Sequence, residues 1–379
     1  MFCQSGRKMK IAYYMPFKPL GHPNPSGDLI LGTEIHDHLN RAGHQCRLVS
    51  RLRCRWIYLH PGKLLHLFFE RQRILRNQKG DHPNIWLSYH CYYKAPDLLG
   101  PWCARRLQIP YVVFQGIYST KRRRQLLARP GFYLNRQALL SAAMVFTNKR
   151  RDEKNLLRLL PPERVQYIPP GIHTANFTFS DTGRQHQRQE WNVRDKVVVM
   201  AAAMFRPGVK SEGLKTVMNS CAELIRNGRN IHLVIAGDGR CRDELHAFGR
   251  TAMGNRVTFC GRIPRNELAS VYSGADIFAF PGVEESLGMV YLEAQSCGLP
   301  VVAFSDWGGG EAVVNGQTGL TSLASSPHLF TENIDRLILD AELRRTLGQQ
   351  AATHVRDHHE LSRGYAGFTE ILEKIASKR

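Results

Sequence analysis

The stretch DIFAFPGVEESLGMVYLEAQSCGLPVVAFSDW, residues 276–307, decides the fold class. It opens on an apolar run, passes through a loop that contains Gly282, continues as a helical pattern near 288–297 and ends on a second apolar run. An apolar strand, a helix and another apolar strand in this order predict a parallel β-α-β unit. Since parallel sheets are covered by helices, the stretch indicates an α/β domain.

The same alternation extends along the whole chain, with six predicted strands between residues 11 and 172 and five between 196 and 307. It predicts an α/β fold made of two doubly wound, Rossmann-like domains that face each other across a cleft. We expect a first domain at 9–182, a polar linker at 183–196, a second domain at 197–358 and a terminal helix at 359–379 that returns to the first domain.

Composition narrows the class of protein. The 379 residues are 43% hydrophobic, contain no apolar stretch long enough to span a bilayer, and carry a formal net charge of +20. Such a surplus favours a polyanionic partner, namely nucleic acid, an anionic membrane surface or a phosphate-bearing substrate. The nine scattered cysteines contain no CxxC pair, so we expect reduced thiols in a cytoplasmic protein. We expect the functional chain to start at Met9, which opens directly into a strand.

The loop before the helix near 288–297 is a candidate phosphate site. Backbone N–H groups at a helix N-terminus bind phosphate through their free donors and the helix dipole. The N–H groups in question belong to Ser286, Leu287, Gly288 and Met289. A small residue at position 288 would leave a pyrophosphate free to approach.

Two carboxylates lie on either side of this predicted helix start. Glu293 is more than a turn further along the helix, where its carboxylate can accept two hydrogen bonds from a ribose diol, as in dinucleotide folds. Glu285 precedes the helix and would face the sugar at the other end of the ligand. Each alone is more simply a solvated charge, and it is their setting that favours a binding role.

Residues that follow two earlier strands are predicted to lie at the same edge of the second domain's sheet as this helix start. Arg206 and Lys210, in FRPGVK, follow the first strand of the second domain and can hold a pyrophosphate. Gly237, in AGDG, follows the next strand, where glycine indicates a tight turn or the close approach of a ligand.

Together, these segments resemble the retaining glycosyltransferases of the GT-B fold that carry an E-x7-E signature, the group 1 or family 4-like type that includes bacterial lipopolysaccharide and polysaccharide glycosyltransferases. The signature corresponds to PGVEESLGMVYLEAQSCGLPVVAF, and four other segments are similar to family motifs in the same order: VQYIPPGIHTANF, AAAMFRPGVKSEGL, HLVIAGDG and VTFCGRIP. The resemblance covers residues 9–375 and is weaker in the first half.

The resemblance implies roles for individual residues. Arg206 and Lys210 would contact the donor diphosphate, Glu293 the ribose and Glu285 the sugar hydroxyls, while Leu287, Gly288 and Met289 would offer N–H groups. Arg262 and Ile263 would border the base, and Gly27 would allow the chain to approach the diphosphate. The chain departs from the family pattern in the shorter spacing from Arg206 to Lys210 and in Gln115, which stands where many members carry a histidine that contacts the donor sugar.

The implied activity is that of a hexosyltransferase that moves a sugar, with retention of configuration, from a UDP- or GDP-linked donor to a hydroxyl of a glycan or lipid-linked acceptor in cell-surface polysaccharide or lipopolysaccharide synthesis. The leaving diphosphate would accept the acceptor's proton, which leaves Glu285 as a sugar contact rather than a nucleophile. The chain has no D-x-D motif, so we expect no metal and no further cofactor.

The first domain is expected to bind the acceptor. His90 follows a strand among aromatic residues that suit sugar stacking, although such patches are more often core. Two stretches, 51–76 and 121–140, combine basic with apolar and aromatic residues, which favours an anionic membrane surface over two solvated helices. We therefore expect a protein that is peripheral on the inner face of the cytoplasmic membrane.

Three other functions are compatible with parts of the sequence. A nucleotide-sugar epimerase of the same fold would turn over the donor without transferring the sugar. A basic nucleic-acid-binding protein would show steeply salt-dependent binding, but the basic residues are spread along the chain and no known module is evident. A non-catalytic sugar-nucleotide binder is a third possibility because of Gln115. The sequence leaves the donor base, sugar, acceptor and oligomeric state open.

Overall fold

The computed structural model describes residues 8–23, 27–77, 82–284 and 287–378. The chain divides into two compact units. One contains the residues up to Pro169 together with the segment from Ser362 onward, and the other contains Pro170–Leu361.

The first unit contains a six-stranded parallel sheet in the order β2-β1-β3-β4-β5-β6. Its strands are β1 Lys10–Tyr14, β2 Gln45–Ser50, β3 Ile85–Cys91, β4 Tyr111–Gly116, β5 Met144–Thr147 and β6 Val165–Tyr167. Its helices, in chain order, are α1 Gly27–Arg41, α2 Pro61–Asn77, α3 Gly100–Leu107, α4 Arg129–Ser141 and α5 Arg150–Leu156. The central strands β3 and β4 are buried along their whole length, as expected for a sheet with both faces covered.

The second unit repeats this architecture, with strand order β12-β11-β10-β7-β8-β9. Its strands are β7 Val197–Ala202, β8 Ile231–Ala236, β9 Val257–Gly261, β10 Ile277–Ala279, β11 Val301–Phe304 and β12 Gly319–Ser322. Its helices are α6 Asp181–Glu190, α7 Val209–Arg226, α8 Arg242–Met253, α9 Leu268–Gly274, α10 Met289–Ser296, α11 Gly309–Ala312, α12 His328–Leu339 and α13 Ala341–His358. All the pairings are parallel, and the doubly wound α/β architecture predicted for both halves is confirmed.

The last helix, α14 Leu361–Ser377, packs on the first unit. Phe368 on α14 meets Phe114 of β4 and Phe146 of β5 edge to face, at ring-centroid distances of 5.1 and 4.8 Å. Edge-to-face aromatic pairs add to the free energy gained from burying the rings. The first unit is therefore assembled from both ends of the chain.

The polar linker predicted at 183–196 is wrong for its first half. Residues 181–190 form α6, which belongs to the second unit, and the first unit ends at Pro169 rather than at residue 182. The helix lacks an apolar period, and guanidinium–carboxylate bonds help to hold it on the second unit. Arg184 and Arg188 donate to the two oxygens of Asp276 at 2.6 and 3.0 Å.

The sixth strand of the second sheet was not predicted. β12 reads GLTS and offers too few apolar residues for a strand pattern, yet Gly319–Ser322 pairs with β11 from Val301 to Phe304. It is an edge strand, where short polar sequences are common. None of the helices in the described part of the chain combines the length and the apolar character needed to cross a bilayer.

Candidate nucleotide-sugar site

The carboxyl ends of β7, β8, β9 and β10 lie along one edge of the second sheet, and the loops that follow them carry the predicted donor-binding residues. In open parallel sheets this edge is where ligands bind. The loop after β10 leads into α10, on which Glu293 lies.

Glu293 is a buried carboxylate with two polar neighbours. Only 6% of the residue is exposed, although it carries an ionisable group. Tyr272 Oη donates a hydrogen bond to its Oε2 at 3.1 Å, and Arg265 Nη1 lies 3.9 Å from Oε1. Burial raises the pKa of Glu293 to about 7, against the opposing effects of Arg265 and Tyr272. Such a displaced carboxyl pKa is typical of a binding or catalytic site.

The N-terminus of α10 needs glycine for reasons internal to the protein. Gly288 has φ 66°, and a Cβ at this position would lie 2.5 Å from the ring of Tyr291 and 2.7 Å from the carbonyl of Gly308. The small residue is thus demanded by backbone conformation and packing, whether or not a pyrophosphate approaches. Leu287 is buried and Met289 is half-buried. The first N–H groups of any α-helix lack intrahelical acceptors, which keeps this end a candidate anion site.

Two of the predicted residues, Glu285 and Ser286, lie outside the described residues. Their roles as the sugar contact and as an N–H donor therefore stay predictions.

The loop between β7 and α7 presents the two predicted cations. The Arg206 N–H donates to Met204 O at 2.8 Å, and its carbonyl accepts from Ser211 at 3.2 Å, so the loop is held as a turn. The Arg206 side chain is exposed and makes no ion pair within the part of the chain that the structure describes. Lys210 lies in the first turn of α7, with Nζ 5.3 Å from the centroid of the Phe280 ring. A cation at this end of a helix opposes the dipole, which a bound anion would offset.

Gly237 holds three loops of this edge together. Its φ is 149°, and a Cβ would lie 1.9 Å from the carbonyl oxygen of Ala203, after β7. Its N–H donates to Gly261 O, at the end of β9, at 2.8 Å. The close approach inferred from the sequence is therefore made by Ala203, and contact of Gly237 with a ligand stays a prediction.

The other predicted donor contacts lie in more open positions. Arg262 is exposed directly after β9, and Ile263 is half-buried against the core of the second unit. Gly27 is the first residue of α1 in the first unit and is exposed, and beyond its own helix no described residue comes within 4 Å of where a Cβ would be. Space around Gly27 is compatible with a ligand, but the protein itself does not require glycine there.

His90 and Gln115 lie side by side in the first unit. Tyr89 pairs with Phe114 and Cys91 with Gly116, so His90 on β3 and Gln115 on β4 share one register position. Both residues adopt left-handed backbone conformations, with φ 63° and 59°. Such φ values are strained for residues other than glycine and cluster at functional sites.

The side chains at this register position are buried with unmet hydrogen-bonding capacity. Gln115 is fully buried, and neither its Oε1 nor its Nε2 has a hydrogen-bond partner among the described residues. His90 Nδ1 lies 3.4 Å from Asp28 Oδ1, and burial lowers the pKa of His90, which favours the neutral imidazole. A buried polar group without a partner costs about 1–3 kcal/mol. Gln115 is therefore a candidate to bond with a ligand.

Three residues of these sites were not predicted from the sequence. Tyr272 and Arg265 surround Glu293 but come 21 and 28 positions before it, within an ordinary helical pattern and a loop. Asp28 directly follows Gly27, which was predicted as a donor contact. Its carboxylate next to that glycine could have been predicted from the sequence as a site residue. The described residues contain no group of three or more His, Cys, Asp or Glu side chains arranged to hold a metal ion.

Comparison with known proteins assigns this edge to a family. Residues 181–354, which include α6 and every donor-site residue of the second unit, match the family of Glycosyl transferases group 1. The match covers 174 of the 379 residues. The resemblance inferred from the motif order is thereby confirmed.

Curated relatives agree with this assignment. The chain is 29% identical over 240 residues to an alpha-D-kanosaminyltransferase of Streptomyces kanamyceticus, covering 62% of this chain and 61% of the relative. It is 28% identical over 220 residues to a GDP-mannose-dependent alpha-(1-6)-phosphatidylinositol monomannoside mannosyltransferase of Mycolicibacterium smegmatis, covering 56% and 57%. The alignments thus span about three fifths of the length of these relatives.

Solved structures extend the likeness to both units. The Anabaena protein HepE, solved in complex with UDP, matches with a TM-score of 0.76 at 17% identity, covering 97% of this chain and all of that one. At this identity the match shows the fold alone. The two units therefore have the GT-B fold.

Proposed function

We propose that this protein is a retaining glycosyltransferase that transfers a hexose from a nucleoside diphosphate to an acceptor hydroxyl. The observation that carries the proposal is Glu293, a buried carboxylate with a pKa raised to about 7, at the ligand-binding edge of the unit that matches the group 1 glycosyl transferases. A carboxylate placed there can accept both hydroxyls of a ribose, as in dinucleotide sites.

The diphosphate of the donor lies, in this proposal, between the loop after β7 and the start of α10. Arg206 and Lys210 supply positive charge, and the N–H groups of Leu287, Gly288 and Met289 donate hydrogen bonds. These groups stabilise the negative charge that grows on the diphosphate as it leaves. The exposed, unpaired guanidinium of Arg206 fits this role because no described carboxylate competes for it. Arg262 and Ile263 border the base, and Gly237 belongs to the loop after β8.

The transfer step conserves atoms and configuration. The bond from the anomeric carbon to the diphosphate oxygen breaks, and a bond to the acceptor oxygen forms on the same face of the sugar. The acceptor's proton passes to the departing diphosphate, so the protein supplies no base. Glu285 contacts the sugar hydroxyls, and the step proceeds without a metal ion.

Substrate contacts in the first unit come from Gln115 and His90. The unpartnered amide of Gln115 can donate to and accept from sugar hydroxyls, and the neutral His90 ring offers a second polar edge at the same register position. An amide cannot take up a proton, so Gln115 positions the sugar rather than acting as a base.

The acceptor is proposed to be a glycan or lipid-linked hydroxyl of a bacterial cell-surface polysaccharide or lipopolysaccharide, met at the inner face of the cytoplasmic membrane. The basic charge of +20 supports a membrane rich in anionic lipid. The mannosyltransferase relative acts, by its name, on a phosphatidylinositol monomannoside, which is a lipid.

Donor binding is the first test of the proposal. The purified protein is heated with UDP, GDP, ADP and their sugars, each with magnesium and with a chelator. A ligand at a hundred times its Kd adds about 2.7 kcal/mol of stability. We therefore expect the nucleotides of one base, and not those of the other two, to raise the unfolding temperature clearly. The shift should be much smaller in Glu293→Gln and persist in Glu223→Gln, a matched change on the exposed surface of α7.

The outcomes separate the rival functions. Donor consumption without sugar transfer to any acceptor would indicate an epimerase. Donor binding without turnover would indicate a non-catalytic binder. A protein that is stabilised by nucleic acid and by none of the nucleotide sugars would overturn the glycosyltransferase proposal.

A further inference from the structure

Helix α2 places large apolar side chains toward solvent. Its buried face carries Leu67, Glu70 and Ile74. Leu64, Leu65, Phe68 and Phe69 lie on the opposite side, since they recur at i, i+1, i+4 and i+5, and the last three are 61, 56 and 60% exposed. A helix that buries one face normally has a polar outer face, so this stripe is unusual for a surface helix.

A second apolar projection follows a basic turn. The turn Thr120–Arg124 carries Lys121 and three arginines, and the chain then presents Leu126 and Leu127, which are 84 and 70% exposed, before α4 begins. Arg123 and Arg124 are exposed and make no ion pair among the described residues. Two adjacent leucines with so little burial are costly on a surface that faces only water.

Aromatic side chains lie beside the second projection and shortly before α2 in the chain. Leu126 and Leu127 line an open recess with Trp56 and Tyr93. The Trp56 ring lies 5.9 Å from that of Tyr93 and 5.8 Å from that of Tyr58, one turn before α2 starts. Trp and Tyr are the residues enriched where proteins meet the headgroup layer of a membrane.

The positive charge around these apolar groups favours an anionic partner. Residues 51–76 contain seven Lys or Arg and one carboxylate, and residues 121–140 contain six and none. The single carboxylate, Glu70, is already bonded to Arg73 and Ser50. Two copies of so basic a surface would repel each other, whereas an anionic bilayer supplies both the negative charge and the apolar interior.

We propose that these side chains form a membrane-docking face, defined here as Leu64, Leu65, Phe68, Phe69, Leu126 and Leu127 with the basic residues around them. The apolar side chains enter the outer part of an anionic bilayer, while Arg123 and Arg124 meet lipid phosphates. The inference gives a physical form to the proposed membrane location and does not require that the protein transfers sugar.

The test is sedimentation of the full chain with vesicles of phosphatidylcholine, with and without phosphatidylglycerol. We expect binding to the anionic vesicles that weakens with salt, and little binding to the neutral ones. The double variant Phe68→Ser/Phe69→Ser should bind about tenfold more weakly, a change of about 1.4 kcal/mol. Leu126→Ser/Leu127→Ser should behave alike. Arg123→Gln/Arg124→Gln should lower both affinity and salt dependence.

Controls separate docking from misfolding and from the donor site. Leu339→Ser changes an equally exposed leucine at the end of α12 in the second unit and should leave vesicle binding unchanged. All the variants should keep the wild-type unfolding temperature and the response to nucleotide, so failure of one proposal does not imply failure of the other. Wild-type binding to vesicles that is absent, or unaffected by both apolar double variants, would overturn the docking face. A wild-type dimer that Phe68→Ser/Phe69→Ser converts to monomer would identify the stripe as a contact between copies and would equally overturn it.

Discussion

Tyr272 on α9 donates a hydrogen bond to Glu293 on α10, from Oη to Oε2 at 3.1 Å, and both side chains are buried. The bond orients the carboxylate and favours its charged form, while burial favours the neutral form more strongly. The protonation of Glu293 is therefore balanced near neutral pH, and its capacity to accept hydrogen bonds changes there.

Nucleotide affinity should rise with pH through about 7. The charged Glu293 accepts two hydrogen bonds from a ribose diol, and the protonated form accepts fewer, so binding strengthens as the proton leaves. In Glu293→Gln this step should disappear. Calorimetric titration of the preferred nucleoside diphosphate into both proteins at several pH values measures this. The phosphate ionises in the same way with either protein, so its effect cancels when the two pH profiles are compared. Parallel profiles in the two proteins would contradict the role of Glu293.

The same group makes stability pH-dependent. Because the folded-state pKa of about 7 exceeds the ordinary value of 4.5, the contribution of Glu293 is fully favourable below pH 4.5 and is lost as pH rises through 7. Relative to Glu293→Gln, the free energy of unfolding of the nucleotide-free protein should fall by about 3 kcal/mol over this range. Urea unfolding at several pH values measures it.

Tyr272→Phe should move the pH step upward. The Tyr272 hydrogen bond lowers the pKa of Glu293, so its loss raises that pKa further. Affinity for nucleotide should fall at pH 7 and recover at higher pH. Tyr291→Phe is the matched control, since it removes a buried hydroxyl that donates to a backbone carbonyl, Phe280 O, at 3.0 Å. A step displaced equally in both variants would show that lost packing, not the bond to Glu293, is responsible.

Gln115→Met should stabilise the fold and impair transfer. The buried amide has no hydrogen-bond partner among the described residues, so replacing it by an apolar chain of similar size removes a desolvation cost of about 1–2 kcal/mol. If Gln115 contacts the sugar, turnover should fall at the same time. Gln295→Met provides the contrast, because the Gln295 amide donates to Tyr291 O and Ala312 O and its loss should destabilise. Chemical denaturation and donor turnover are measured on each variant. A less stable Gln115→Met would show that the amide has a partner in solution.

Gly237→Ala should destabilise the second unit by several kcal/mol. The added Cβ would lie 1.9 Å from Ala203 O, at a φ that alanine avoids. Gly367→Ala, on the exposed side of α14 with open space around it, should instead stabilise by about 0.5–1 kcal/mol. Thermal unfolding of the two variants distinguishes them, and a tolerated Gly237→Ala would mean that the loops can shift apart.

The fold was largely predictable because its signals are local. The apolar runs of QCRLVS and YVVFQG mark β2 and β4, and the amphipathic pattern near 361–377 marks α14. Strand β12 and helix α6 were missed for a common reason. Their stability comes from pairing with β11 and from bonds to Asp276, partners that are distant in sequence.

By itself the sequence determined the alternation of strands and helices, the order of the motifs and hence the resemblance of the second unit to group 1 glycosyl transferases. Only the tertiary structure decided the state of the key groups. Burial raises the pKa of Glu293 against the opposing effects of Arg265 and Tyr272, and Ala203, rather than a ligand, makes Gly237 necessary. His90 and Gln115 both have left-handed backbone conformations, and the Gln115 amide has no hydrogen-bond partner among the described residues. Periodicity reports which residues are apolar, whereas desolvation and close approach depend on neighbours that the fold brings together.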